Sequence, residues 1–172
     1  LRQQEDIMLA KTDFSPEEWQ LVLSSPMLAG MAVTLAEPSG LWGLMQEGMA
    51  SGRALLEAKS DPTASTLVKD IVADMATSEG RTAAREGMKA LLTSRVPAEL
   101  KTQALAALAR VGAAVDAKGK GDSEAFKSWL KGVAVRVAEA STEGGFLGFG
   151  GTTVTDAEKA SIDEVARALN IA

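Results

Sequence analysis

The chain has 172 residues, 46% hydrophobic and 24% charged, with a net charge of −5 and neither Cys, His nor Tyr. That composition excludes Ser–His–Asp and Cys–His nucleophile pairs, Cys/His zinc sites, His-held haem and disulfides. It also excludes di-iron sites completed by Glu-x-x-His, so any chemistry must come from carboxylates, Lys, Arg, Ser and Thr.

Ala fills 30 positions and alternating strand patterns are nearly absent, which predicts an all-α fold. Punctuation cuts the chain into seven or eight helices. Leu1–Asp13 is polar and weakly patterned, so residues 1–13 are expected to fray and residues 14–172 to form one compact bundle. Ser15-Pro16-Glu17-Glu18 starts the first helix, with Ser as cap, Pro in the first turn and Glu closing a capping box. Trp19, Val22 and Leu23 give it an apolar face, and Ser25-Pro26 is expected to end it and open the second. Met27, Leu28, Met31 and Leu35 continue at helical spacing as far as Glu37-Pro38-Ser39-Gly40. A third helix follows from Leu41 to about Lys59, with Gly43, Gly48 and Gly52 at spacings that suit close helix contact.

Asp61-Pro62 restarts the chain, and Leu67, Val68, Ile71, Val72 and Met75 make a clear stripe. A fifth helix is predicted from about Glu79 to Thr93. Val96-Pro97 opens the sixth, whose Leu100, Ala104, Leu108, Val111 and Val115 face one way. An Asp116–Asp122 turn is expected next, with Ser123 capping a helix that carries Phe126, Trp129, Leu130, Val133 and Val137. The capping box Thr155-x-x-Glu158 opens the last helix, with Ile162, Val165 and Leu169 inward. Trp19, Ile71, Leu108, Phe126, Trp129, Val133 and Leu169 are the expected core.

Several groups are candidates for function. Asp70 and Asp74 lie one helical turn apart, and Glu47 sits in the apolar run Leu44-Met-Gln-Glu-Gly-Met49. Such carboxylates can share a hard metal, Mg²⁺, Mn²⁺ or Ca²⁺, or act as acid and base if buried. The plainer reading pairs Glu47 with a cation or leaves it in solvent. Asp116, Asp122 and Glu124 surround Gly121, placed like the glycine of a calcium loop. Lys118, Lys120 and Lys127 stand where that loop needs oxygens, which excludes a standard EF-hand and leaves a weak site or a solvated turn. Arg81, Arg85 and Lys89 form a basic stripe that can receive phosphate or an acidic partner, or simply face water.

Residues 144–151, Gly-Gly-Phe-Leu-Gly-Phe-Gly-Gly, join five glycines to three large apolar side chains. Phe146, Leu147 and Phe149 either tuck into the bundle or dock on a partner or membrane surface. The third glycine of a dinucleotide fingerprint is missing, Thr153 standing in its place, and no Lys-Ser or Lys-Thr follows for a P-loop. The acidic balance (pI near 4.9) argues against nucleic acid. Residues 61–131, with 11 basic and 9 acidic groups, are the one stretch with a positive balance.

The 144–151 segment followed by Val154-Thr-Asp-Ala-Glu158, with Phe14-Ser-Pro-Glu-Glu-Trp19, resembles a family of bacterial helical proteins of unknown function. The chain is more remotely similar to TerB-like tellurite-resistance domains, which are all-helical and carry an acidic helix–loop–helix pattern. The matching pieces are Ala36-Glu-Pro-Ser-Gly40 with Glu47, and Val115-Asp-Ala-Lys-Gly119 with Glu124, this latter piece departing from the pattern at Lys118 and Lys120. The sequence therefore leads to a non-enzymatic, cytoplasmic helical protein that works by protein interaction in a stress- or envelope-related setting. No cofactor is expected on that reading. The alternative is a carboxylate-based, TerB-like binder of Mg²⁺ or Ca²⁺, resting on Asp70, Asp74, Glu47 and the 116–124 turn.

Overall fold

A computed structural model describes residues 8–36, 52–143 and 154–171. These are all-α, with no strand among them. A 3-10 turn, Lys11–Asp13, precedes α1 (Pro16–Thr34), α2 (52–60) and α3 (Thr66–Met75). Then come α4 (Ser78–Leu91), α5 (Pro97–Asp116), α6 (Lys120–Glu143) and α7 (Asp156–Ala168).

Helix α1 is the central post. It packs against α3, α4, α5, α6 and α7 and buries residues around most of its circumference, from Trp19 and Val22 to Ala32 and Val33. A helix that is apolar all round belongs inside. The start of α1 is the expected one: the Ser15 hydroxyl accepts from the Glu18 N–H, and the Glu18 carboxylate accepts from the Ser15 N–H.

The expected break at Ser25-Pro26 does not occur. Pro26 lies inside α1, where an interior Pro ordinarily costs about 3 kcal/mol by removing a hydrogen bond and crowding the preceding turn. The carbonyl it deprives is that of Val22, and the Ser25 hydroxyl donates to that oxygen at 2.6 Å. Packing on several sides holds the helix through the defect. Two predicted helices are one.

Opposite α1, Gly87 of α4 lets the helices approach closely, since a Cβ there would fall 2.5 Å from the Ser24 hydroxyl oxygen. That hydroxyl also reaches the Ala84 carbonyl at 3.1 Å. On the other flank, α7 closes over α1, α5 and α6. Its C-terminus turns through Asn170, whose φ of 55° is left-handed and suits Asn as a helix stop. Lys101 of α5 ties this cover down through Glu164 at 2.7 Å and the Ser161 hydroxyl at 2.9 Å.

The buried apolar side chains form one cluster, from Leu9 through Trp19, Ile71, Leu108 and Phe126 to Leu169. Each large member gains about 1.5–3 kcal/mol by full burial. Six of the seven expected core residues are buried, Val133 included. Trp129 is covered less completely: it packs on the core beside Phe126, with ring centroids 6.2 Å apart. A cleft on that side of α6, described below, leaves part of its ring uncovered.

Two further expectations need correcting. Fraying does not describe residues 8–13, because Leu9 is 1% exposed and hydrogen bonds anchor the segment to α3 and α6. The open turn over 116–122 is also shorter than expected: α5 runs to Asp116 and α6 starts at Lys120. Ser123 is therefore not a cap but a buried residue inside α6.

Candidate interaction site

Three of the carboxylates singled out from the sequence, Asp70, Asp74 and Asp122, fasten residues 8–13, the amino-terminal strap. Asp122 of α6 accepts from the Leu9 N–H at 2.6 Å, and Asp70 of α3 accepts from the Lys11 N–H at 2.8 Å. Asp74 receives the Lys11 ammonium at 2.6 Å and the Trp19 indole N–H at 2.7 Å. Partial burial by itself raises the Asp74 pKa, but the hydrogen bonds from Lys11 and Trp19 outweigh it and hold the carboxyl below its ordinary value. The Lys11 ammonium also lies 5.7 Å from the Trp19 ring centroid, and Trp19 packs on Phe14. Next to them, Lys118 pairs with Glu18 at 3.1 Å. The Ser15 N–H lowers the Glu18 pKa most, followed by the bond from Lys118.

Asp116 is committed in the same way. Lys127, with a side chain 4% exposed, donates to both of its oxygens at 2.8 and 3.0 Å. The Ser123 hydroxyl donates to one of them as well. Burial again raises the Asp116 pKa, and the bonds from Lys127 and Ser123 bring it below the ordinary value. A serine one helical turn from a buried lysine invites a nucleophile–base reading. Here Asp116 holds both groups, and Ser123 has no exposed surface for a substrate. The triad locks α5 to α6.

Neither a metal cage nor an anion stripe is assembled among the described residues. No group of three or more carboxylates there is placed to hold a metal, and Glu124 is exposed on α6. Within the basic stripe, Arg81 turns back to donate to the Met75 and Ala76 carbonyls at 3.2 and 2.9 Å, closing the end of α3. Lys89 pairs with Glu86 at 3.0 Å, and Arg85 is exposed. Glu47 and the Phe146, Leu147 and Phe149 loop lie outside the described residues.

Helix α2 carries the more open surfaces. It is joined to α3 by residues 61–65, where Asp61 accepts from the Thr63 hydroxyl and N–H and Ser65 caps α3 through the Val68 N–H. The Thr63 hydroxyl and then its N–H lower the Asp61 pKa. So short a connection makes the two helices an antiparallel hairpin. Between them runs a groove of about 520 Å³. One wall is Gly52, Leu55, Leu56 and Lys59, and the other includes Lys69, Val72, Ala73 and Ala76. Both sets repeat at i, i+3, i+4, i+7, the spacing of one continuous helix face. Leu56 is 66% exposed, and Met75 also lines the groove.

On the opposite side of α2 lies a smaller cleft of about 370 Å³, between α2 and α6. Trp129, Gly132 and Arg136 line it from α6, and Glu57 pairs with Arg136 across it. A Cβ at Gly132 would meet nothing within 4 Å, so the missing side chain leaves open the space beside Trp129.

Neither surface stood out in the sequence. The groove's signal was present, because apolar or small residues at 52, 55 and 56 repeat at helical spacing beside the already apolar α3. Periodicity marks an apolar face without saying whether another element covers it. No family model, curated protein or solved structure matches this chain. Among the described residues no helix is long and apolar enough to cross a membrane.

Proposed function

We propose that the protein is a non-catalytic interaction module whose docking face is the α2–α3 groove, and that its partner presents an amphipathic helix. The observation that carries this reading is the pair of facing i, i+3, i+4, i+7 stripes, with Leu56 standing two-thirds exposed above them. A third helix laid in such a groove completes a three-helix layer, burying an apolar strip against two walls at once. The commitment of Asp70, Asp74, Asp116 and Asp122 to protein donors adds support, since each is engaged by the fold. The setting carried into this proposal is the cytoplasm, on the cysteine-free composition.

The test is a titration of the isotope-labelled full chain with a designed helical peptide bearing Leu at i, i+3, i+4 and i+7. Amide shifts confined to residues 52–59 and 69–76, abolished by Leu56→Glu, are the expected result. Shifts scattered over the bundle, or none, would overturn the reading.

A further inference from the structure

Resting on that helix-in-groove reading, we infer that the two ends of the groove differ in charge and that it accepts a partner helix in one direction, with an acidic carboxyl-terminal end seated between Lys59 and Lys69.

The hairpin dictates the placement. Lys59 is near the end of α2 and Lys69 is in the fourth position of α3, so an antiparallel pair brings both to the loop end of the groove. Gly52, Met75 and Ala76 occupy the other end, and no carboxylate is among the residues that line the groove. Lys69 reaches the Pro62 carbonyl at 3.4 Å, and both lysines are exposed. Asp61 lies near enough to feel the Lys69 charge and keeps its own negative charge, but it is not among the residues that line the groove. The helix ends of α2 and α3 meet here with opposite dipoles, which largely offset one another. Among the residues that line the groove, the two ammonium groups therefore set the sign.

A helix carboxyl terminus offers what such a place lacks. Its last carbonyls have no partner within the helix, its dipole is negative there, and Lys is a fitting donor to it. Acidic side chains in the final turn add to the match. The partner then runs parallel to α2, with its apolar face over Leu55, Leu56 and Val72. An acyl chain with an anionic head shares the charge pattern but not the shape. A single chain lying in the crease leaves Leu56 on the ridge, whereas a helix about 10 Å across covers ridge and crease together.

The experiment compares two designed peptides of about eighteen residues, five turns of helix. They have one composition and Leu at the same positions, with three Glu at the carboxyl-terminal end of one and at the amino-terminal end of the other. Binding to the full chain is measured by calorimetry at low and high salt. The peptide acidic at its carboxyl terminus should bind about three- to tenfold tighter, the scale of dipole and exposed-pair effects. That preference should shrink as salt screens it and vanish in Lys59→Gln/Lys69→Gln, which should still bind both peptides. Equal binding of the two to the unaltered protein would defeat the polarity and leave the groove reading intact. Failure of both to bind would defeat the groove reading itself. Binding of oleate, but not of either peptide, at the groove would make the occupant an acyl anion and overturn the proposal. So would a dimer abolished by Leu56→Glu, which would identify the occupant as a second copy. A fall of several degrees in the Leu56→Glu melting temperature would show the chain filling its own groove, with the same consequence.

Discussion

The strap end of the molecule and the α2–α3 flank treat charge and hydrophobicity in opposite ways. At the strap end, Lys11, Asp70, Asp74, Asp122, Asp116 and Lys127 are bonded to one another or to backbone and side-chain donors of the fold. On the flank, Leu56 stands exposed on a groove that Leu55 and the largely buried Val72 also line, and two lysines stand at its loop end. The strap's charges resemble a ligand site in the sequence and are a fastening in the structure. The flank's stripes have the pattern of ordinary helix core, yet while Val72 is buried, Leu56 stands in water. A paired charge in a partly buried place is held by the fold, whereas an apolar stripe left uncovered is the feature that asks for another molecule.

The comparison is sharpest between two leucines. Leu9, 1% exposed in the strap, should lose about 2–5 kcal/mol on replacement by Ala, as large-to-small core changes do. In a chain of this length each kcal/mol moves the melting temperature by about 2–4 °C, so calorimetry will resolve the loss easily. An unchanged melting temperature for Leu9→Ala would return the strap to the frayed state expected from sequence.

Lys127→Met probes the buried end of the same fastening. It leaves Asp116 without its two strongest bonds, and because that carboxylate is about a third exposed the cost should be about 1–3 kcal/mol, less than for a fully buried pair. Adding Asp116→Asn should recover part of the loss, measured by urea unfolding. No recovery would mean that Lys127 acts through packing of its stem and not through the pair.

Acid should loosen the strap end. Asp74 and Asp116 are held below their ordinary values, so the folded state keeps their protons off more strongly than the unfolded chain does. Their contribution is complete above the unfolded pKa of about 3.9 and is lost as pH falls through the lowered folded values. Melting curves between about pH 6 and pH 2 should show this decline, and Asp74→Asn should flatten it. A decline of equal steepness in the variant would remove Asp74 from the account.

The smallest effect belongs to the flank. Leu56→Ala should change stability by no more than about 0.5 kcal/mol, because most of the side chain is already in water. A loss near that of Leu9→Ala would erase the distinction between the two regions.

What the sequence determined by itself is local. Ser15 and Thr155 cap helices as read from the sequence, because cap and acceptor lie within one turn and need no tertiary partner, whereas Ser123, read as a cap too, is carried inside α6. The stripes of α3 and α5 were likewise legible as core, since their inward faces repeat every turn. Tertiary structure decided the rest. Leu9 and Asp122 are 113 residues apart, and no local pattern joins an amide to a carboxylate across that distance. The passage of α1 through Pro26 depended on Ser25 and on packing around the helix, against a strong local stop signal. Uncovered Leu56 and half-covered Trp129 obey the same rule: periodicity assigns a side chain to a face of its helix, and only the packed chain decides whether that face meets protein or water.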